Sequence, residues 1–139
     1  MDDFCWAGSC KFERLVINEI RKIFCVKSEQ KHIFKYLGLD LFQDKDQIVI
    51  KQDKFVQKME LISVKRKCSP CDLMTEDELT QCRSAIGKLN WLATQTRPDL
   101  SFEVSELTSA LKHRDVSTIQ KVNKSIRKAK RESSQIKVH

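Results

Sequence analysis

Asp2 and Asp3 set two carboxylates side by side, directly before the apolar residues Phe4, Trp6 and Ala7. Hard divalent cations such as Mg2+ take a few carboxylate oxygens and complete their shell with water or phosphate. An adjacent pair held in a tight turn can supply part of that shell, whereas the same pair on a free end is only solvated charge. Cys68-Ser69-Pro70-Cys71 has the spacing of half a zinc site. Its second half is missing, because Cys5, Cys10, Cys25 and Cys82 form no matching pair and His113 stands alone. Free thiols around a proline turn are the simpler reading, as expected of an intracellular chain.

A third chemistry is cationic. Lys121, Lys124, Arg127, Lys128, Lys130 and Arg131 crowd one stretch. From residue 112 onward nine lysines and arginines stand against Asp115 and Glu132, which accounts for the whole net charge of +7 and leaves residues 1–111 neutral. Such asymmetry suits phosphate backbones, and a solvated lysine-rich helix face is the alternative.

The elements that must position these groups follow from periodicity. Residues 4–7 before Gly8-Ser9 suit one short strand leading out of a turn at Asp2-Asp3. Phe12, Leu15, Val16, Ile20, Ile23 and Phe24 recur at three- and four-residue spacing, which predicts an amphipathic helix ending near Val26-Lys27-Ser28. The period then changes to two: Leu37, Leu39 and Leu41 alternate with Tyr36, Gly38 and Asp40, a half-buried strand over 33–41. A polar turn over 43–47 and a return strand over 48–50 complete a hairpin. Gly38 inside a strand calls for a bulge or a close backbone approach.

From Asp53 onward the pattern is helical. Asp53 can cap a helix bearing Phe55, Val56, Met59 and Ile62, and residues 63–74 read as a linker. Thr75 with Glu78 forms a capping box ahead of the stripe Leu79, Cys82, Ile86, Leu89 and Ala93. Pro98 breaks that helix, and Asp99 is expected to pair with Arg97 and to cap the next one, which carries Leu100, Val104, Leu107 and Leu111. Trp91 lies off the stripe and is expected to pack against Phe102, with stacking on a nucleotide as the alternative. Ser117 with Gln120 reads as a second capping box, with Ile119, Val122, Ile126 and Ala129 inward and the six cations outward. Residues 133–139 show no pattern and are expected to fray.

With 139 residues, 40% of them hydrophobic and 32% charged, the chain is long enough to bury a core and is not composed like a disordered one. No apolar run approaches the roughly 18–20 residues that span a bilayer, and the acidic N-terminus is unlike a secretory signal. The expected setting is intracellular, in cytoplasm or nucleus, without a membrane partner.

Three stretches together resemble a known family. Met1-Asp2-Asp3-Phe4 is similar to the end of the tyrosine-x-Asp-Asp motif of reverse transcriptases, with the tyrosine itself missing. Phe34-Lys35-Tyr36-Leu37-Gly38-Leu39 looks like the hairpin that follows it there. Residues 83–100, reading RSAIGKLNWLATQTRPDL, are similar to the signature helix and Arg-Pro-Asp turn of copia-type LTR-retrotransposon polymerases.

The resemblance implies an α+β fold: a partial polymerase palm over residues 1–51 (strand, helix, β-hairpin) and a helical thumb and connection over 52–139. It implies templated DNA synthesis by a Pol polyprotein, with Asp2 and Asp3 as catalytic ligands of Mg2+ or Mn2+. Two such ions lie about 3.5–4 Å apart in nucleotidyl transfer. Tyr36, Leu37 and Gly38 would position the primer, and the basic helix would touch the backbone of an RNA or DNA template-primer. The family's fingers and other catalytic aspartate would precede this stretch and its RNase H portion would follow. This chain by itself is therefore expected to bind metal weakly and not to polymerise. The competing expectation is a basic helical module that binds nucleic acid or protein without catalysis.

Overall fold

Thr75 starts the longest element as its sequence demands. Its hydroxyl accepts from the Glu78 amide at 3.2 Å, while the Glu78 carboxylate accepts from the Thr75 amide at 2.8 Å. Two N–H groups that the first helical turn would leave unpaired are thus satisfied. In the computed structural model, which describes residues 4–44, 47–132 and 135–138, this helix is α4 (Glu76–Gln95). In chain order the elements are α1 (Cys10–Phe12), a π-helical turn (Glu13–Ile17), α2 (Asn18–Ile23), β1 (Ile33–Tyr36), β2 (Leu39–Gln43), β3 (Ile48–Lys51), α3 (Asp53–Gln57), α4, α5 (Ser101–Ala110), α6 (Val116–Arg131) and β4 (Gln135–Val138). The fold is α+β.

The core lies among the helices. Leu79, Cys82, Leu89 and Leu92 of α4, Val104 and Leu107 of α5, and Ile119, Val122, Ile126 and Ala129 of α6 are buried together with Met59, Ile62 and Leu100. The stripes expected on α4, α5 and α6 are the ones that pack. Burial also pushes the Cys82 thiol up to about 11, with the nearby Glu78 charge adding to it, so it is an inert core group.

Asn123, on α6, is buried yet polar. Its side-chain oxygen accepts from the Ile62 amide at 2.9 Å and its nitrogen donates to the Ile62 carbonyl at 2.8 Å.

Several expectations are corrected. Residues 4–9 form no strand, having no neighbour to pair with among the described residues. The first helix forms, interrupted by the π turn, but Ile17 is its buried residue, while Phe12, Leu15, Val16, Ile23 and Phe24 are exposed. Ile17 apart, no other element covers this apolar stripe among the described residues, so its side chains stay in solvent.

The strand expected over 33–41 is two strands. Leu37 (φ 48°) and Gly38 (φ 80°) form a tight reversal between β1 and β2, which pair antiparallel with Tyr36 opposite Leu39. Consecutive positive φ values are what a two-residue hairpin turn requires, and glycine supplies one of them without strain. A Cβ at Gly38 would meet nothing within 4 Å, so neither a bulge nor a close internal approach is involved.

Gln52, not Asp53, stands at the N-cap of α3, which stops at Gln57. Met59 and Ile62 are buried from the irregular segment that follows. Asp115, not Ser117, stands at the N-cap of α6, and its side chain makes no capping hydrogen bond. The amides of Val116 and Ser117 instead donate to the carbonyls of Asp72 (2.9 Å) and Pro70 (2.8 Å), so the linker does the work assigned to the second capping box.

Residues 135–138 are not frayed. They form β4, which pairs antiparallel with β3, Ile50 opposite Ile136. The sheet order is β1-β2-β3-β4. Asp2 and Asp3 lie outside the described residues.

Candidate nucleic-acid interface

The α6 stretch 116–131 carries six cations and no acid, but the fold uses them unequally. Lys128 donates to Glu103, which holds the Lys128 amine above its ordinary range, and the other Glu103 oxygen accepts from Ser125 at 3.2 Å. Lys130 donates to the Gln57 carbonyl at 3.2 Å. Arg131 lies 3.8 Å from Glu132. Lys121, Lys124 and Arg127 are exposed and make no ion pair among the described residues. With intervals of three residues they share one face. The cluster of six thus divides into three cations with partners and three without, among the described residues.

A second surface was not foreseen. After its acidic first turn, residues 79–95 of α4 carry Arg83 and Lys88 and no acid. Both cations are exposed and unpaired among the described residues. Trp91 follows Gly87 by one helical turn and is 39% exposed.

The expected packing of Trp91 on Phe102 does not form. Phe102 is 73% exposed, and the aromatic pair among the described residues is Trp6 with Phe12 at 5.9 Å. Gly87 costs a helix interior roughly 0.5–1 kcal/mol relative to alanine, yet a Cβ there would meet nothing within 4 Å. No neighbour among the described residues requires the glycine. Together these residues give a notch beside a large aromatic face, flanked by two cations. Base stacking on an aromatic with phosphates on lysine or arginine uses this combination. The signal was present in the sequence as an acid-free helix with a central glycine.

At the Arg-Pro-Asp turn Arg97 pairs with Asp99 as expected, but the expected Asp99 cap does not form: Leu100 stands at the N-cap of α5, with no side-chain capping bond. Arg97 is 3% exposed and grips Asp99 with two hydrogen bonds, at 2.9 and 2.8 Å. The guanidinium holds the Asp99 carboxyl below the usual carboxylate range. Its remaining nitrogen donates to the carbonyls of Ala129 and Glu132, so Arg97 fastens the far end of α4 to the last turn of α6. Helix C-termini leave carbonyls unpaired, and a buried cation there satisfies both geometry and dipole.

Tyr36, Leu37 and Gly38 are brought together at the β1–β2 reversal, with Tyr36 half-buried and Leu37 exposed at its tip. A non-glycine residue at positive φ carries backbone strain of order 1 kcal/mol or more. Cys68 and Cys71 are free thiols, and no group of three or more His, Cys, Asp or Glu could hold a metal ion among the described residues. Also among these residues, no helix is long and apolar enough to cross a membrane. No family model, no curated protein and no solved structure matches this chain.

Proposed function

We propose that the chain is a portion of a copia-type retrotransposon reverse transcriptase, comprising the last part of the palm, the thumb and the start of a connection. Its role is to hold an RNA or DNA template-primer during RNA-templated DNA synthesis. The observation that carries this reading is the outward face of α4, where Trp91 stands beside the Gly87 notch between Arg83 and Lys88, both unpaired among the described residues. This is the helix whose sequence resembles the family's signature. Lys121, Lys124 and Arg127 add sequence-independent backbone contact, and the exposed tip at Leu37 positions the primer end. By the resemblance, Asp2 and Asp3 are metal ligands for Mg2+ or Mn2+. The further palm aspartate and the RNase H portion are then supplied by other parts of the polyprotein.

The test is primer extension. This chain by itself should incorporate no nucleotide, while the chain joined to the upstream reading frame should extend a primed template and lose that ability on Asp2→Ala. Extension by the chain alone, or none by the joined form, would sink the proposal. Binding is checked separately: Trp91→Ala should weaken a fluorescent primer-template about tenfold or more, as expected for loss of one stacked base.

A second reading, a non-catalytic nucleic-acid-binding module, is favoured by the three α6 cations without partners among the described residues. Both readings expect binding whose log–log salt slope falls by about 0.9 for each phosphate contact removed, so extension by the joined form is what separates them.

A further inference from the structure

The segment between α3 and α4 has one edge paired and one edge bare. Burial alternates along it: Ile62 is buried and Val64 half-buried, while Leu61, Ser63 and Lys65 face outward. That period of two marks an extended chain. On its inner edge Asn123 grips both backbone groups of Ile62, in the way a paired residue of a neighbouring strand would.

In an extended chain the N–H and C=O of the next residues point to the opposite edge. Those of Leu61 and Ser63 engage nothing among the described residues. Bare strand edges recruit further strands, and most surface edges are blunted by pairing or cover.

The outward residues of this segment also line a groove of about 380 Å³. Thr75, Asp77, Glu78 and Gln81 form its other wall. Its charges are partly spent internally: Arg66 meets Glu78 at 3.2 and 3.1 Å, while Asp77, on the α4 wall, accepts only from the neutral Gln81 amide at 2.7 Å and keeps its charge. On the 61–65 side two features are left for a partner. Leu61 offers a 43% exposed apolar side chain, and Lys65 offers a cation without a carboxylate partner among the described residues.

We infer that the 61–65 edge is a docking site for an extended peptide segment of another protein. That segment adds as a strand, with an apolar side chain beside Leu61 and an acidic one beside Lys65. Main-chain hydrogen bonds supply affinity in such strand addition and the flanking side chains supply selectivity. The site is independent of the nucleic-acid face of α4 and holds whichever reading of function is correct.

The probe is a blocked seven-residue peptide with valine and glutamate four apart and threonine elsewhere, titrated into the full chain and followed by amide NMR. The Leu61 and Ser63 amides should shift and exchange more slowly with solvent. Methylating every backbone nitrogen of the peptide should weaken binding about tenfold or more, since its donors are lost. Ser63→Ala should bind as the parent does, and Ser63→Pro, lacking the N–H, should not.

The methylated peptide leaves the protein untouched, so the test survives a Ser63→Pro chain that fails to fold. Unchanged Leu61 and Ser63 amides at millimolar peptide would overturn the inference, as would equal binding of the methylated form. So would the same shifts appearing on self-association without peptide, or with a single-stranded RNA oligonucleotide in its place.

Discussion

The helical half and the sheet with its preceding helix bury their apolar residues very differently. Between Val56 and Ala129 the apolar stripes of α4, α5 and α6 meet one another, and Leu89, Leu100, Val122 and Ile126 are sealed from solvent. In the first half Ile17 and Gln52 are the buried residues among those described, and no described side chain of the sheet joins them. Phe12, Leu15, Val16, Ile23 and Phe24 face outward on the first helix. The first helix and the packed helices show the same three- and four-residue apolar spacing. The difference is whether a complementary face is present to receive it, and this decides how much stability each pattern returns.

Truncating the two halves should therefore give unequal results. Leu89→Ala removes a sealed side chain and should cost about 2–5 kcal/mol in urea unfolding. Ile23→Ala, at a residue 74% exposed, should stay within about 0.5 kcal/mol. Equal losses would dissolve the contrast.

Acid sensitivity sharpens it next. The Arg66 hydrogen bond, followed by that from the Thr75 backbone, holds the buried Glu78 carboxyl below its ordinary range. A depressed carboxyl stabilises the fold above its unfolded value and loses that contribution as pH falls through the folded value. Thermal scans should show the Tm falling below about pH 4.5, with a shallower fall in Glu78→Gln. An unchanged profile would show that the cap contributes nothing to acid sensitivity.

The smallest effects compare two glycines. Gly38→Ala forces an alanine to φ 80° and should destabilise by about 1 kcal/mol. Gly87→Ala has room and regular helix geometry, so it should stabilise by about 0.5–1 kcal/mol, while weakening primer-template binding because the notch beside Trp91 is filled. Stabilisation with unaltered binding would remove the notch from the interface.

These contrasts also explain what the sequence could disclose. The stripes of α4 and α6 were legible because a helix that packs on both neighbours repeats its apolar residues regularly, and Thr75 with Glu78 marks a start by a purely local rule. The α6 cap was misread because its partners, Pro70 and Asp72, are distant in sequence. Leu37-Gly38 was read as strand because leucines alternate across the reversal, which hides a turn inside a period of two. The exposure of Trp91 depends on where α5 lies, which no local pattern encodes. Part of the candidate site was therefore visible as residue types, while the division of the six α6 cations into three with partners and three without, among the described residues, emerged only from the packing.

The pairing of β4 with β3 joins residues separated by most of the chain, so its loop-closure entropy is met only after α3 to α6 have assembled. The sheet should consequently be the last element to complete during folding, well after the local hairpins. Throughout that interval β3 presents an open, apolar edge from Ile48 to Ile50. Slow synthesis or a weakened helical core would lengthen its exposure, making the first half of this chain the place where misassembly begins.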